Sequence, residues 1–234
     1  TCSIHFYFAN LEGLRRTLET AGAAISLVEP RPGLPDLVFT ANAAIIYREL
    51  AVLAHFRHRE RQGEQPFFEA WLAGHVFRVE RVPDDVYFEG AGDLLGFPDT
   101  WFGGYRQRSD IRAFPKLSEI FQREIIPLEL IDSRFYHLDT CFCPLSGGDL
   151  LYLPSAFDAY GQAAIAERVP EDRRLAVPEE EALRFACNAV CVGKQVVIPA
   201  GCPLTTKLLE DRGYRAHPVQ LDEFMKSGGA AKCL

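Results

Sequence analysis

A cysteine stands one residue from the end of the sequence, in "KSGGAAKCL" (226–234), behind two glycines and a lysine. Structural cysteines sit in apolar runs, whereas a thiol in a glycine-rich, locally basic stretch is placed where a thiolate can be exposed and stabilised. Cys233 is therefore a candidate nucleophile. A second set of reactive side chains lies in "HLDTCFC". Read as a strand, this segment puts His137, Asp139, Cys141 and Cys143 on one face, because side chains alternate with period two. Consecutive same-face residues of one straight strand cannot all converge on an ion at about 2 Å, so no metal site is expected. Other polar residues stand at the head of apolar segments: Asp36 in "LPDLVF", Asn42 in "FTANA", and Glu89 and Asp93 in "FEGAGD".

The elements that must position these residues follow a repeat. Three helix-like segments each end at a glycine and run into an extended one: "LEGLRRTLETAG" into "AAISLVEP", "FFEAWLAG" into "HVFRVERV", and "LTTKLLEDRG" into "YRAHPVQL". Apolar positions at helical spacing and a glycine after the last turn are the signals used. Between them lie hairpin-like stretches, each led by a polar residue: "FTANAAIIYRELAVLAHF", "FEGAGDLLGFPDTWFGGY", "HLDTCFCPLSGGDLLYLPSAF" and "CNAVCVGKQVVIPAG". With Asn42, Asp93, Asp139, Asn188 and Cys233 as markers the spacings are 51, 46, 49 and 45 residues. Self-similarity at this period indicates a propeller or solenoid. The fifth unit has only its beginning at Cys233, and the extended-looking "CSIHFYF" at the other end is the expected donor of its missing strand. The expected fold is thus a single α/β domain over residues 1–234, a five-bladed propeller closed by the two termini. Hairpin-leading residues of such a ring face its axis, which gathers Asn42, Glu89, Asp93, His137, Asp139 and Cys233 around one pocket. Two charged stretches, 56–66 ("FRHRERQGEQP") and 168–182, read as solvated surface loops, the first with a lid as the alternative.

Composition narrows the class. The chain has 25 basic and 32 acidic residues, a net charge of -7, and no Lys/Arg run longer than a pair, which excludes a nucleic-acid footprint and suits a cationic small ligand. No apolar stretch is long enough to span a membrane, and the N-terminal residues lack the pattern of a secretion leader. A cytoplasmic protein is expected, its seven cysteines present as thiols. No cofactor is called for.

"LPDLVFTANA", "FEGAGD", "RSD", "FYHLDTCF", "NAV" and "SGGAAKC", in that order, resemble the guanidine-modifying hydrolase and amidinotransferase superfamily of arginine deiminases, dimethylarginine dimethylaminohydrolases, arginine dihydrolases and glycine amidinotransferases. The resemblance covers nearly the whole chain and implies the pentein fold, a five-bladed α/β propeller. It implies Cys233 as nucleophile, His137 as the proton-transfer group, and Glu89 and Asp139 as carboxylates on the guanidinium, with Asp93 in the same pocket, Asp36 on its rim and Arg108 on the substrate's α-carboxylate. The chemistry agrees with these types. A guanidinium stays charged at any physiological pH and needs carboxylates to hold it, and its carbon is a poor electrophile that calls for a thiolate. Two departures stand out. Asn42 occupies a position that is typically aspartate in deiminases and methylarginine hydrolases, which points toward the dihydrolases. The "NPW" loop usual after the first strand is missing between Phe8 and Ala9. The partner expected is an arginine-like cation, and the resemblance also implies a homo-oligomer. An amidinotransferase, or a binding protein on the same scaffold without catalysis, are the alternatives.

Overall fold

Each of the four polar-led stretches closes as an antiparallel hairpin and is joined by a third, parallel strand. The structure, a computed structural model, describes residues 4–97 and 100–234. β1 (Ala44–Tyr47) pairs with β2 (Leu50–Leu53), and after the helix Gln65–Gly74 the chain returns as β3 (Arg78–Arg81) parallel to β2. The pattern recurs as β4 (Leu94–Gly96), β5 (Trp101–Tyr105), the helix Ala113–Phe121 and β6 (Ile125–Glu129). It recurs again as β7 (Phe142–Pro144), β8 (Leu150–Tyr152) and β9 (Arg174–Ala176). The last instance is β10 (Val190–Val192), β11 (Gln195–Pro199), the helix Pro203–Asp211 and β12 (Arg215–Val219). A short turn suffices for the antiparallel pair, whereas a parallel return needs a crossover, and the intervening helix supplies it. The middle strand of each sheet reads as a nearly continuous apolar run ("LAVL", "WFGGY", "LLY", "QVVIP"), as expected of strands paired on both edges and covered on both faces.

The described chain falls into two compact units. One holds Val28–Leu138 and Ala156–Arg168, and with them β1–β6. Its core is built on Phe88, Leu94, Trp101, Phe114 and Leu117. The helix Ala113–Phe121 turns Ala113, Phe114, Leu117 and Phe121 inward, one face at helical spacing. A second cluster forms where Phe68 and Leu72 of the helix Gln65–Gly74 cover Leu37, Ala51 and Leu53. Each large side chain so buried contributes about 1.5–3 kcal/mol. The other unit holds the described residues up to Leu27, Asp139–Ser155 and Val169–Leu234, and with them β7–β12.

Three expectations fail. "IHFYF" is not a strand but the first turns of a helix, Ile4–Thr20; Cys2 and Ser3 lie outside the described residues. Its aromatics have strand propensity, but Arg15 bridges Glu12 and Glu19 along one helical face, and Tyr7 packs at 4.3 Å on Phe224. Among the described residues there are four three-stranded sheets, and none of them takes a strand from the N-terminal stretch. "AAISLVEP" enters no sheet. Nor is 168–182 a merely solvated connection: it contains β9 and the short helix Glu179–Ala182. There the buried Glu181 carboxylate accepts the backbone N–H groups of Leu204 and Thr205 at 2.8 and 2.7 Å, stabilising the start of the helix Pro203–Asp211.

Candidate active site

In the unit built on β1–β6, Asp93 ties three of the quoted motifs together. Ser109 of "RSD" donates its hydroxyl to Asp93 Oδ2 at 2.6 Å and its N–H to the same oxygen at 3.2 Å. Leu138 of "HLD" donates its N–H to Oδ1 at 3.0 Å. Ser109 Oγ in turn accepts the Glu89 N–H at 2.9 Å. Burial drives the Asp93 carboxyl up to about 6, against the pull of His137 and of these donors. The short helix Gly90–Asp93 between Glu89 and Asp93 depends on its glycines. Gly90 sits at φ 60 with the backbone of residues 41–44 against it, and a Cβ on Gly92 would run into Asn42 Nδ2 and approach His137 Cγ to 3.3 Å.

That close approach delivers His137 to its partners. His137 Nε2 lies 2.7 Å from Glu89 Oε2, and Nδ1 lies 3.4 Å from Asn42 Nδ2. Glu89 and His137 are 0% and 1% exposed. Burial alone would raise the Glu89 carboxyl, but the hydrogen bond and charge of His137, then Arg108 and the Arg57 N–H, hold it at about 2. Glu89 is therefore a carboxylate throughout the physiological range and fixes the imidazole ring. Arg108 reaches Glu89 Oε2 at 3.4 Å and lies 4.8 Å over the Tyr136 ring. Its neighbour Asp110 pairs instead with Arg112, so Arg108 is not one half of a surface pair with Asp110.

Asn42 is buried in the turn Thr40–Asn42, and its Oδ1 accepts from Arg61 Nη1 at 2.9 Å. The stretch 56–66 is thus not a solvated loop. It carries the helix Arg59–Gln62, and Arg61 pairs with Glu64 at 2.7 Å, the two 5% and 1% exposed. Asp36 lies half-buried in the turn Pro35–Val38, and its carbonyl accepts from Arg61 Nη2 at 3.1 Å. Among the described residues no hydrogen bond or ion pair joins the Asp36 carboxylate to Glu89 or His137.

In the other unit the chain's end is held by one amide. Asn188 Oδ1 accepts the N–H groups of Ala230, Lys232 and Cys233 at 3.1, 3.1 and 3.2 Å, while its Nδ2 donates to Cys233 Sγ at 3.1 Å and to the Asp139 carbonyl at 3.2 Å. Sγ stands 3.6 Å from Asp139 Oδ2. Cys233 is 2% exposed, so the solvent-reached thiolate expected from the glycines is not what the fold provides. Burial, reinforced by the Asp139 charge, pushes the thiol well above its ordinary range, only partly offset by the Ala230 N–H, Asn188 and Lys232. At rest Cys233 is a protonated thiol beside a carboxylate.

"HLDTCFC" is not one straight strand either. Leu138–Thr140 is a 3-10 turn, and β7 begins only at Phe142. Cys141, Cys143, Cys187 and Cys202 are buried core residues, whereas Cys191 is half-exposed and bonded to Ser146. Among the described residues no group of three or more His, Cys, Asp or Glu side chains is disposed to hold a metal. No described helix is long and apolar enough to cross a membrane. The fold brings Asn42, Glu89, Asp93, Arg108 and His137 together in one unit, and Asp139 and Cys233 in the other. Sequence reasoning missed Asn188, Ser109 and Arg61 as site residues. Asn188 carried a signal, since it is a marker of the repeat at the place that Asp139 and Cys233 hold in their own units.

No protein-family model matches the chain. It is 47% identical over 214 residues to the bifunctional arginine dihydrolase/ornithine cyclodeaminase ArgZ of Synechocystis sp., covering 91% of this chain and 30% of the relative. The same shares hold at 46% identity for AgrE of Nostoc sp., so the chain spans less than a third of both bifunctional proteins. It is 35% identical over 225 residues to the N(G),N(G)-dimethylarginine dimethylaminohydrolase of Mycobacterium tuberculosis, covering 96% of this chain and 73% of that one. Among solved structures, the N-terminal domain of ArgZ superposes with a TM-score of 0.96 at 43% identity, covering 99% of this chain and 86% of that one, in a substrate-bound cysteine-to-serine mutant. A second form of that domain, covalently bonded to a reaction intermediate, superposes equally well, with TM-score 0.96.

Proposed function

We propose, because the chain belongs to the guanidino-modifying pentein superfamily of arginine dihydrolases and dimethylarginine dimethylaminohydrolases, that it hydrolyses the guanidinium of arginine or a methylated arginine through a thiouronium on Cys233. The observation that carries this reading is the buried Cys233 thiol 3.6 Å from the Asp139 carboxylate. A carboxylate there makes the free thiol hard to ionise, yet it is the group that binds a guanidinium nitrogen. When the cation arrives, the charge that opposed the thiolate is neutralised and the substrate itself favours ionisation.

The steps follow with protons in balance. The thiol proton passes to His137, the thiolate attacks the guanidinium carbon, and His137 returns the proton to the nitrogen that leaves as ammonia or an alkylamine. Water then adds to the thiouronium carbon, His137 takes its proton, and the carbon–sulfur bond breaks to give the ureido product and regenerate the thiol. Glu89 keeps the imidazole oriented and stabilises its charged form. Arg108 holds the substrate's α-carboxylate by a two-pronged contact. Asn42, a neutral amide, binds the cation less tightly than a carboxylate and can donate to a ureido oxygen. It therefore favours a second hydrolysis, from the ureido product to the amine, carbon dioxide and ammonia, which places arginine dihydrolysis ahead of single deimination.

Incubation with arginine and with asymmetric dimethylarginine, assaying citrulline, ornithine, ammonia and dimethylamine, tests the reading and separates its forms. Ornithine is expected from arginine, with no product from Cys233→Ser. A glycine-dependent guanidino product would move the chain to amidino transfer. Turnover of no guanidine by the wild type, or equal turnover by Cys233→Ser, would defeat the proposal.

A further inference from the structure

Arg57, between β2 and the helix Arg59–Gln62, reaches both motifs that flank the Glu89–Arg108 contact. Its N–H donates to Glu89 Oε1 at 3.2 Å, and its side-chain Nε donates to the Arg108 carbonyl at 2.8 Å. The guanidinium carbon lies 4.9 Å over the Tyr87 ring, whose residue accepts the Asp110 N–H on its own carbonyl at 2.9 Å. The turn so held is an uncommon one. Arg106 stands at φ 96, where L side chains are rarely found, and such a conformation persists only when its surroundings over-determine it. The Arg106 N–H bonds the Ser109 carbonyl at 3.2 Å, Gln107 Nε2 bonds the Leu130 carbonyl at 3.0 Å, and Ser109 is fixed on Asp93. These bonds settle the neighbours of Arg108, and the Arg57 Nε–H settles its carbonyl. From there the Arg108 side chain passes the Tyr136 ring at 4.8 Å and meets Glu89 Oε2 at 3.4 Å, beyond the usual length of an N–H···O bond. A long side chain with so weak a tether points where its backbone sends it, and a two-pronged grip on a carboxylate tolerates little displacement.

We propose that Arg57 is a positioning residue for the carboxylate end of the substrate: by holding the Arg108 carbonyl it fixes the direction in which Arg108 presents its guanidinium, and so sets the preference for α-amino acids over guanidines that lack the carboxylate. This rests on the reading of Arg108 as the α-carboxylate ligand. The part is played by the Nε–H donor and not by the positive charge. It also gives the charged stretch 56–66 a second buried attachment besides Arg61, at the opposite end of the helix Arg59–Gln62 from Glu64.

The test measures calorimetric binding of L-arginine, and of agmatine, the same guanidine without the carboxylate, to the full chain carrying Cys233→Ser. Arg57→Met keeps the length of the side chain but loses donor and charge. Arg57→Gln loses the charge alone, because its amide nitrogen stands as many bonds from Cα as Arg Nε. Arg57→Met is expected to weaken arginine about tenfold, the scale of one hydrogen bond, and agmatine by less than about threefold. Arg57→Gln is expected to stay within about threefold of its parent for both ligands. Arginine affinity unchanged in Arg57→Met, or an equal loss for agmatine, overturns the proposal. A loss of about tenfold in Arg57→Gln would assign the effect to charge and overturn it too, which keeps it falsifiable should Arg57→Met not fold. In turnover with Cys233 present, Arg57→Met should raise KM for arginine about tenfold with kcat changed less than about threefold; the reverse split overturns the inference. Arg108→Gln separates the two levels. If it does not weaken arginine relative to agmatine, the reading of Arg108 has failed and the inference with it; if it does and Arg57→Met does not, the inference alone has failed.

Discussion

At the scale of single residues, the decisive feature is a thiol kept protonated by its surroundings. Burial and the Asp139 carboxylate raise Cys233, and Lys232, which the sequence offers as a stabiliser, only partly offsets them. The ultraviolet difference between wild type and Cys233→Ser should therefore show no thiolate at neutral pH in the free protein, and a thiolate once a non-hydrolysed guanidinium ligand is added. A thiolate signal at neutral pH without ligand would contradict this account. Asn188 is the second residue with a measurable role. Its oxygen takes three N–H groups of the terminal loop, and a buried donor left unpaired costs about 1–3 kcal/mol. Asn188→Ala should lower the unfolding free energy in urea by at least that amount; a change below about 0.5 kcal/mol, the usual scale of neutral surface substitutions, would remove Asn188 from the site's support.

At the scale of elements, the short helix Gly90–Asp93 is the piece that lets the turn Thr40–Asn42 before β1, "RSD" and "HLD" converge. Adding a methyl at Gly92 forces Asn42 and His137 apart. Overpacking of this kind costs about 1–3 kcal/mol, and Gly92→Ala should lower stability by that amount and turnover with it. Gly74 is the control: it ends a helix, and a Cβ there meets nothing within 4 Å. Gly74→Ala should stabilise by about 0.4–1 kcal/mol and leave kcat unchanged. Equal effects of the two substitutions, in denaturant melts and product assays, would show that close approach at Gly92 is not what the element is for. The elements also mark how far sequence patterns reach. Four hairpins and two helix-to-strand returns, into β3 and β12, were legible from apolar runs and polar leaders. The first turns of the helix Ile4–Thr20 were not, because "HFYF" has the local propensity of a strand, whereas the contact of Tyr7 with Phe224 and the bond of the Glu223 N–H to Asn10 Oδ1 favour the helix.

At the scale of the molecule, two carboxyls of one unit give stability opposite slopes with pH. Glu89 is held at about 2 against an ordinary 4.5, so its contribution is complete above 4.5 and is lost as pH falls toward 2. Asp93 is raised to about 6 from 3.8, so the folded state binds its proton more tightly and stability falls as pH rises from 3.8 toward 6. Urea midpoints measured across this range should lose the acid-side rise in Glu89→Gln and the fall between about pH 4 and 6 in Asp93→Asn; an unaltered slope in either variant would show that the corresponding carboxyl is not shifted. What the sequence alone determined is the inventory and the periodic frame: a tail cysteine, a mid-chain histidine, carboxylates heading apolar runs, and sheets that recur about every fifty residues. These are local properties of residue type and spacing. Only the tertiary structure decided which groups meet: Glu89 with His137 across 48 positions, Asn188 with Cys233 across 45, and Arg61 with Asn42 across 19. It also decided that the thiol is buried, since burial and charge state depend on what the rest of the chain packs around a group and are not written in its neighbours along the sequence.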